Sequence, residues 1–260
     1  MLNVDIRDGI ARVTLDRPAV RNAFDDALIA SLKKSFAGIE KDQSIRVVVL
    51  AGNGPAFCAG ADLNWMKRMA KYGHDENLAD ARALAQMLAA LDRLPQPTIA
   101  RVHGSAFAGG TGLVAACDMA IGTPQAKFCF SEAKLGLSPA TISPYVLRAI
   151  GERAARRYFL SAEVFGAEEA LRIGMLSILV PATELDATID GLLQHLLAGG
   201  PQAHAEIKNL IRAVAGRPVD DALTADTAQR IAEIRVSPEG REGIASFLEK
   251  RKASWCSPKS

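Results

Sequence analysis

The sequence predicts an α/β core followed by a helical module. Strand-like apolar runs alternate with helical stretches over roughly the first two-thirds of the 260 residues, and from about Pro144 onward helix follows helix. A mixed strand and helix region followed by helices alone is typical of an α/β domain with a helical appendage. We therefore place the α/β core at residues 1–200 and the helical module at residues 201–260.

The first predicted element is a β-hairpin. Asp8-Gly9 separates the alternating runs 2–6 and 10–15, and this dipeptide favours a tight two-residue turn. Asn22 or Asp25 can cap a helix that runs to about Lys41. A long alanine-rich helix is predicted over about 77–94, where Pro95 and Pro97 end it. Further extended segments are predicted at 46–51, 98–102, 117–121, 127–130 and 177–180.

Composition and charge exclude several classes of protein. Hydrophobic residues make up 49% of the chain but aromatic residues only 5%, and the net charge is +2. A chain of this length and hydrophobicity can bury a core without disulfides, and its near-neutral charge disfavours nucleic-acid binding. The four cysteines are not spaced as metal ligands, and we find neither a signal peptide nor a membrane span. We expect a cytoplasmic protein with no metal site and no membrane contact.

Two glycine-containing segments follow predicted strands and can carry chemistry through their backbone. They are Ala59–Asp62, after the strand at 46–51, and Ala108–Gly112, after the strand at 98–102. N–H groups at a helix start have no intrahelical partner, so two of them converging on one point would form an oxyanion hole. The alternative is that these glycines only permit tight turns. Neither segment matches a nucleotide-binding glycine motif.

Glu132 is the candidate acid/base. It lies where the predicted strand at 127–130 ends, and alternation puts Phe128 and Phe130 on one face of that strand. A carboxylate among apolar neighbours tends towards a raised pKa, which suits proton transfer near neutral pH. The alternative for Glu132 alone is an ordinary surface or helix-start carboxylate.

Four motifs in order then resemble one family. RPAVRNAF at 17–24, FCAGADLNWM at 57–66, HGSAFAGGTGLVAACDMAI at 103–121 and FSEAKLGL at 130–137 resemble the enoyl-CoA hydratase/isomerase, or crotonase, family. The similarity runs essentially end to end. It implies an α/β spiral of ββα units with a C-terminal helical module used for oligomerisation, as a homotrimer or homohexamer. It also implies an acyl-CoA substrate and no separate cofactor, since coenzyme A is part of that substrate.

The resemblance assigns roles to individual residues. The N–H groups of Ala61 and Gly109 would form the oxyanion hole around the thioester oxygen, and Glu132 would be the catalytic carboxylate. Ala59 and Asp62 would lie along the path of the CoA chain, with Arg21 near its phosphates and Lys250 reaching it from a neighbouring subunit. The other positions implied in substrate binding are Leu63, Trp65, Gly110 and Ala140; for Trp65, ordinary core packing is the alternative.

One position departs from the family pattern. Where many hydratases of the family carry a second glutamate, this chain has Gly112, and the segment after Glu132 reads SPATISPY at 138–145. This single-glutamate pattern resembles bacterial hydratases of 3-methylglutaconyl-CoA and isohexenylglutaconyl-CoA. Such acyl groups carry a second carboxylate, for which Lys67, Arg68 and Arg148 are candidate partners, with surface solvation as the alternative for each.

The sequence thus supports three hypotheses. The first is a hydratase that adds water across the 2,3 double bond of a branched or glutaconyl-type acyl-CoA. The second is an enoyl-CoA isomerase or decarboxylase with the same hole, because one carboxylate suffices to shuttle a proton. The third is a non-catalytic paralogue that binds CoA or RNA. Cys58 lacks a His–Asp pair, which disfavours nucleophilic catalysis, and we expect His103 to make a structural hydrogen bond.

Overall fold

Two β-sheets form the frame of the computed structural model, which describes residues 1–256. The strands within this range are β1 (Leu2–Arg7), β2 (Ile10–Leu15), β3 (Val47–Gly52), β4 (Ala56–Cys58), β5 (Thr98–Val102), β6 (Ser105–Phe107), β7 (Met119–Gly122), β8 (Lys127–Cys129), β9 (Phe165–Gly166) and β10 (Ile178–Leu179). The large sheet has the order β1-β2-β3-β5-β7-β10 and the small sheet the order β4-β6-β8-β9. Only the pairs β1–β2 and β8–β9 are antiparallel.

The helices surround these sheets and then continue alone. They are α1 (Asp26–Lys41), α2 (Leu63–Met69), α3 (His74–Asp92), α4 (Gly109–Ala116), α5 (Ser143–Ser161), α6 (Ala167–Ile173), α7 (Leu185–Ala198), α8 (Pro201–Val214), α9 (Asp221–Val236) and α10 (Pro238–Leu248). Short 3₁₀ helices lie at Pro18–Val20, Ser131–Leu135 and Ser254–Cys256. The helix predicted at 77–94 is α3, which begins three residues earlier than expected.

Local sequence signals account for the first elements. The β1–β2 hairpin turns at Asp8 and Gly9, whose φ angles of +51° and +78° are the left-handed values that such a turn requires. Asp25, rather than Asn22, caps α1: its carboxylate accepts a hydrogen bond from the N–H of Leu28 at 2.8 Å. Both the predicted hairpin and the predicted helix are confirmed.

The chain repeats one pattern three times. A strand of the large sheet leads into a strand of the small sheet and then into helix: β3–β4–α2, β5–β6–α4 and β7–β8–α5. The α/β core with a spiral of ββα units is therefore confirmed. The extended segment predicted at 127–130 is β8, the second strand of the third unit. The second strands of the other two units, β4 and β6, are not evident in the sequence, because three residues are too few to show an alternating pattern.

Both faces of the large sheet are buried at its central strands. Val48, Leu50 and Ala100 face the main core, which the sheet shares with α1, α3 and α4. Val47, Val49, Ile99 and Ile121 face the opposite way, against Leu185, Ile189 and Leu193 of α7. The uninterrupted apolar run of β3 follows from this double burial, since a strand covered on both sides needs no polar face.

The C-terminal helices α8, α9 and α10 bury few side chains. The buried ones are Lys208, Leu223 and Ser246, whereas apolar residues such as Ile211, Val236 and Phe247 are exposed. The sequence-based boundary after residue 200 falls between α7 and α8 and stays a prediction. Within residues 1–256, no helix combines the length and hydropathy needed to cross a bilayer.

Candidate active site

The candidate residues lie at one edge of the small sheet. Strands β4, β6 and β8 are parallel neighbours, and segments 59–62, 108–112 and 130–132 follow them directly. The carboxyl ends of parallel strands lie at the same edge of a sheet, where α/β proteins bind their ligands. The expectation that the glycine segments follow the strands at 46–51 and 98–102 was wrong. Between each predicted strand and its glycine segment lies a short strand of the small sheet, β4 or β6. These two strands place both segments at the same edge of the small sheet.

The first segment presents the N–H of Ala61. Gly60, at φ +92°, turns the chain out of β4, and the carbonyl of Gly60 then accepts from the N–H of Phe24 at 2.6 Å. The N–H of Asp62 donates back to the carbonyl of Phe24 at 2.7 Å. In this parallel bridge the N–H of Ala61 points away from Phe24, and it donates to no acceptor within residues 1–256.

Asp62 holds the turn together from inside. Its carboxylate caps α2 by accepting from the N–H groups of Asn64 and Trp65, at 2.8 and 3.4 Å, and it contacts the guanidinium of Arg17 at 3.1 Å. Burial alone would raise the pKa of Asp62, but the two N–H donors and the Arg17 charge outweigh it, so the pKa is lowered. This carboxylate is engaged by protein partners, and its predicted contact with CoA stays a prediction.

The second segment presents the N–H groups of Gly109 and Gly110. Ala108 adopts φ +46° and ψ −118°, a strained conformation for a residue with a Cβ atom. It is anchored on both sides: its N–H donates to the carbonyl of Cys129 at 2.8 Å, and its carbonyl accepts from Oγ1 of Thr111 at 2.5 Å. The chain enters α4 at once, and neither glycine N–H has an acceptor in the described part of the chain.

Glycines bring the two segments into contact. A Cβ atom on Gly60 would lie 3.1 Å from Cβ of Ala108, and one on Gly109 would lie 2.7 Å from Cε2 of Phe24. A Cβ atom on Gly110 would overlap the carbonyl oxygen of Cys58. The start of α4 therefore packs backbone to backbone against β4 and its turn. Such packing places the N–H of Ala61 and those of Gly109 and Gly110, with the positive end of a helix dipole, on adjoining segments.

Glu132 supplies a buried carboxyl oxygen with no partner. It lies in the 3₁₀ helix Ser131–Leu135, and its Oε2 is shielded from solvent without a hydrogen bond from any residue in 1–256. Burial raises the pKa of Glu132, against a smaller lowering by its own backbone N–H. Phe128 and Phe130 are both fully buried; Phe128 stacks on Phe165, and the ring of Phe130 packs against Phe165 at a tilt. Glu132 thus extends from a rigid aromatic cluster.

Ile142 fills the space beside Gly112. A Cβ atom on Gly112 would overlap Cγ2 of Ile142 and lie 3.0 Å from its Cβ, with Cδ2 of Leu88 3.7 Å away. Ile142 comes from the unusual segment at 138–145 and is buried. The glycine and the segment are therefore two sides of one packing contact. No side chain fits at position 112, which leaves Glu132 as the carboxylate of this part of the site.

That contact can be tested by a double-mutant cycle. We expect Gly112→Ala to destabilise the protein by about 1–3 kcal/mol through overpacking, and Ile142→Ala by about 2–5 kcal/mol through a cavity. In the double variant the added methyl group occupies part of that cavity, so the total loss should fall at least ~1 kcal/mol short of the sum. Urea unfolding measures all four proteins; strictly additive losses would contradict the contact.

The structure adds Asn22, which the sequence analysis considered only as a helix cap. Asn22 is 0% exposed, and its Nδ2 lies within hydrogen-bond distance of the carbonyls of Asn53, Ala56 and Phe57. It holds the loop 17–24 against β4, and the carbonyl of the next residue back, Arg21, accepts from the N–H of Ala59 at 2.9 Å. Its place between Arg21 and Phe24 in the RNAF motif was the available signal.

The other predicted binding residues surround this edge or lie apart from it. Trp65 is buried, while Leu63, two residues after Ala61, is 73% exposed. Arg21 and Ala140 are exposed, and Lys250 follows α10 on the surface of the helical module. Nothing in a single chain brings Lys250 to the other residues, so its role stays a prediction.

The structure also shows the contacts of the candidate cations, of Cys58 and of His103. Arg68 pairs with Asp26 at 2.5 Å and Arg148 pairs with Asp92, whereas Lys67 is exposed. Burial raises the pKa of the Cys58 thiol to about 12, which keeps it protonated and unreactive. Nε2 of His103 lies 2.8 Å from the carbonyl of Gly54, the structural bond expected of it. Within residues 1–256, no cluster of His, Cys, Asp and Glu side chains is arranged to hold a metal ion.

Comparison with known proteins agrees with this geometry. The profile of the enoyl-CoA hydratase/isomerase family matches residues 5–258. The structure is similar to that of an enoyl-CoA hydratase from Shewanella pealeana, with TM-score 0.95, 42% identity and coverage of 98% of this chain and 95% of the other. It is also similar to Pseudomonas aeruginosa AtuE, with TM-score 0.93, 35% identity and coverage of 98% and 99%. The 2,3-dehydroadipyl-CoA hydratase of Escherichia coli is 34% identical over 257 residues, which is 96% of each chain.

The fold and these matches define an enzyme of the crotonase class. The chain belongs to the enoyl-CoA hydratase/isomerase family.

Proposed function

We propose that this enzyme hydrates the 2,3 double bond of an acyl-CoA and that Glu132 is its only catalytic carboxylate. The observation that carries the proposal is the buried Oε2 of Glu132, which has no hydrogen-bond partner within residues 1–256 and lies at the sheet edge that also presents the backbone N–H groups of Ala61 and Gly109. A carboxylate oxygen kept dry and unpaired is costly, and such costs are typical of catalytic positions. The thioester oxygen would accept from the N–H groups of Ala61 and Gly109.

Proton movements in this mechanism balance with one carboxylate. Glu132 takes a proton from water as the water oxygen bonds to C3, and the C2–C3 π electrons move onto the thioester oxygen. That oxyanion is stabilised by the N–H groups of Ala61 and Gly109, each contributing about 3–4 kcal/mol in the transition state. The protonated Glu132 then delivers its proton to C2 as the carbonyl re-forms. Glu132 ends ionised, and one water has been added.

For the acyl group we propose a branched or glutaconyl-type chain with a distal carboxylate. The relative from Escherichia coli is named for 2,3-dehydroadipyl-CoA, a thioester of a dicarboxylic acid. Lys67 suits the second carboxylate best among the candidate cations, because Arg68 and Arg148 already pair with aspartates. Lys67 lies on α2, which begins two residues after Ala61.

An isomerase is the second candidate, and the same observation favours it. Moving the double bond from the 3,4 to the 2,3 position takes a proton from C2 and returns one to C4 through a stabilised enolate, and Glu132 and the N–H groups of Ala61 and Gly109 can supply both needs. A non-catalytic paralogue is the weaker alternative, because it has no need of a buried unpaired carboxyl oxygen.

A panel of thioesters separates these functions. Hydration of 2-enoyl-CoA esters removes the absorbance of the conjugated system, whereas isomerisation of a 3-enoyl-CoA ester creates it. We expect loss of absorbance, fastest with 3-methylglutaconyl-CoA. A gain of absorbance with 3-enoyl-CoA esters, without any loss with 2-enoyl-CoA esters, would establish the isomerase. Binding of CoA esters without a gain or a loss of absorbance would establish the non-catalytic paralogue.

The pH dependence of kcat/KM tests the role of Glu132 as a base. Its ionised form must be present to accept a proton from water, and burial raises its pKa above the ordinary 4.5. Activity should therefore fall as pH drops through this raised pKa, so the acidic limb lies above pH 4.5. A rate that stays flat down to pH 4.5 in stable protein would contradict the assignment.

Assembly as a homotrimer or homohexamer is also a proposal. The apolar side chains exposed on α8–α10, including Ile211, Val236 and Phe247, give the helical module a surface suited to contact with other subunits. In such an assembly Lys250 of one subunit would reach the CoA bound by a neighbouring subunit. Arg21 would contact the phosphates of the CoA. Sedimentation gives the assembly state directly.

A further inference from the structure

Helix α8 inserts a lysine into the core. Lys208 is the one buried residue of this helix, and its side chain is only 9% exposed. Its Nζ donates to Oδ2 of Asp118 at 2.6 Å and to the carbonyl of Gln96 at 3.1 Å. Burying a charge is expensive unless its partners are well placed, so this pair is a specific attachment rather than general packing.

Asp118 connects this lysine to the far end of α4. It follows Cys117, the residue that ends α4. Its carboxylate accepts from the N–H and Oγ1 of Thr98, at 2.8 and 2.9 Å, and its own N–H donates to Oγ1 of Thr98 at 2.8 Å. The C-terminus of α4 is therefore held to the start of β5 and to the helical module at one carboxylate.

Helix α4 is short and has its candidate catalytic group at the opposite end. Its eight residues span about 12 Å. The other end is the N–H of Gly109. A rigid helix transmits a shift at one end to the other, and a displacement of about 1 Å at a reacting group can cost 10²-fold in rate.

We propose that Lys208 is a positioning residue that couples the helical module to the oxyanion hole through Asp118 and α4. This inference rests on the proposed function, because it takes the N–H of Gly109 as a donor to the thioester oxygen. Lys208 touches no substrate in this scheme. It sets where α4 lies relative to the turn at Ala61.

The test replaces Lys208 by methionine, which keeps the length and removes the charge. We expect kcat to fall at least 10-fold while KM changes less than 3-fold, because the donors bind the developing oxyanion more strongly than the ground-state carbonyl. The absorbance of bound cinnamoyl-CoA, a conjugated thioester, should also lose part of its red shift, since weaker hydrogen bonds polarise its carbonyl less. Lys208→Arg, which restores a charge, should recover part of both.

Arg101→Met is the matched control. Arg101 of β5 makes an ion pair with Asp186 of α7, at 2.6 and 2.9 Å, and so joins the same strand to another helix without touching α4. We expect it to leave kcat and the red shift unchanged. If Lys208→Met does not fold, Thr98→Val removes both hydrogen bonds that Oγ1 of Thr98 makes with Asp118, keeps the one from the backbone N–H and leaves no unpaired charge, and smaller losses of kcat and red shift are expected.

The outcomes separate the two proposals. A folded Lys208→Met or Thr98→Val variant with wild-type kcat and red shift overturns the positioning role and leaves the proposed function intact. Wild-type protein that shows neither turnover of enoyl-CoA esters nor a red shift overturns the proposed function itself. Equal losses in Arg101→Met would also overturn the positioning role, since any lost ion pair would then suffice.

Discussion

Replacing Glu132 by glutamine is expected to lower kcat by about 10³-fold, within the range that positioned acid–base groups supply. Glutamine keeps the shape of the side chain but neither accepts a proton from water nor returns one to C2. Binding of an acyl-CoA product analogue should change less than about 3-fold, because the thioester oxygen is held by backbone N–H groups. Rate assays and isothermal titration measure the two effects, and Glu40→Gln, an exposed glutamate of α1, is the control.

The same variant should be more stable than the wild type at neutral pH. Burial raises the folded-state pKa of Glu132, whereas the unfolded carboxyl ionises at about pH 4.3. The contribution of Glu132 to the free energy of unfolding is therefore fully present below the pKa of the unfolded state. It is lost as the pH rises through the pKa of the folded state. Glu132→Gln removes that loss, so its Tm should exceed that of the wild type at pH 7 and match it near pH 4. A lower Tm at pH 7 would contradict the buried, unpaired carboxylate.

Replacing Gly110 by alanine is expected to lower kcat by about 10²–10³-fold, the loss typical when one oxyanion donor is misplaced. The added methyl group would overlap the carbonyl oxygen of Cys58 and lie 2.9 Å from its Cβ. Because β4 is held in the sheet, the start of α4 must move away from it and carry Gly109 from Ala61. Thermal unfolding should show destabilisation as well.

Gly191→Ala is the control for this substitution. Gly191 lies inside α7, and a Cβ atom there would meet nothing within 4 Å. Alanine is favoured over glycine inside a helix, so this variant should keep full activity and gain up to about 1 kcal/mol of stability. Wild-type kcat and Tm in Gly110→Ala would show that the close approach of α4 to β4 is not required.

Local sequence patterns predict much of the fold. The hairpin turn at Asp8-Gly9, the cap at Asp25 and the doubly buried strand β3 each follow from a few neighbouring residues. These signals are strong because backbone conformation and burial are dictated there by side chains close in the chain. Glu132 and the two glycine segments could also be singled out, since their residue types suit one kind of chemistry.

The small sheet could not be predicted in the same way. Strands β4 and β6 have three residues each, and their pairing joins segments about fifty residues apart. Pairing at such separation depends on the whole chain having folded, so no local pattern reports it. The contacts of Asn22, Asp118 and Lys208 could not be predicted for the same reason, because each residue has its partners far away in the sequence.

The sequence by itself therefore determined the α/β core, the family and the residues that are candidates for the chemistry. Only the tertiary structure decided how those residues meet. It placed the N–H groups of Ala61 and Gly109 on adjoining segments and closed the space at Gly112 with Ile142. It also buried Oε2 of Glu132 without a hydrogen-bond partner among residues 1–256. The physical reason is that contact, burial and desolvation belong to the packed chain. A residue's type limits what it can do, and its surroundings decide whether it does it.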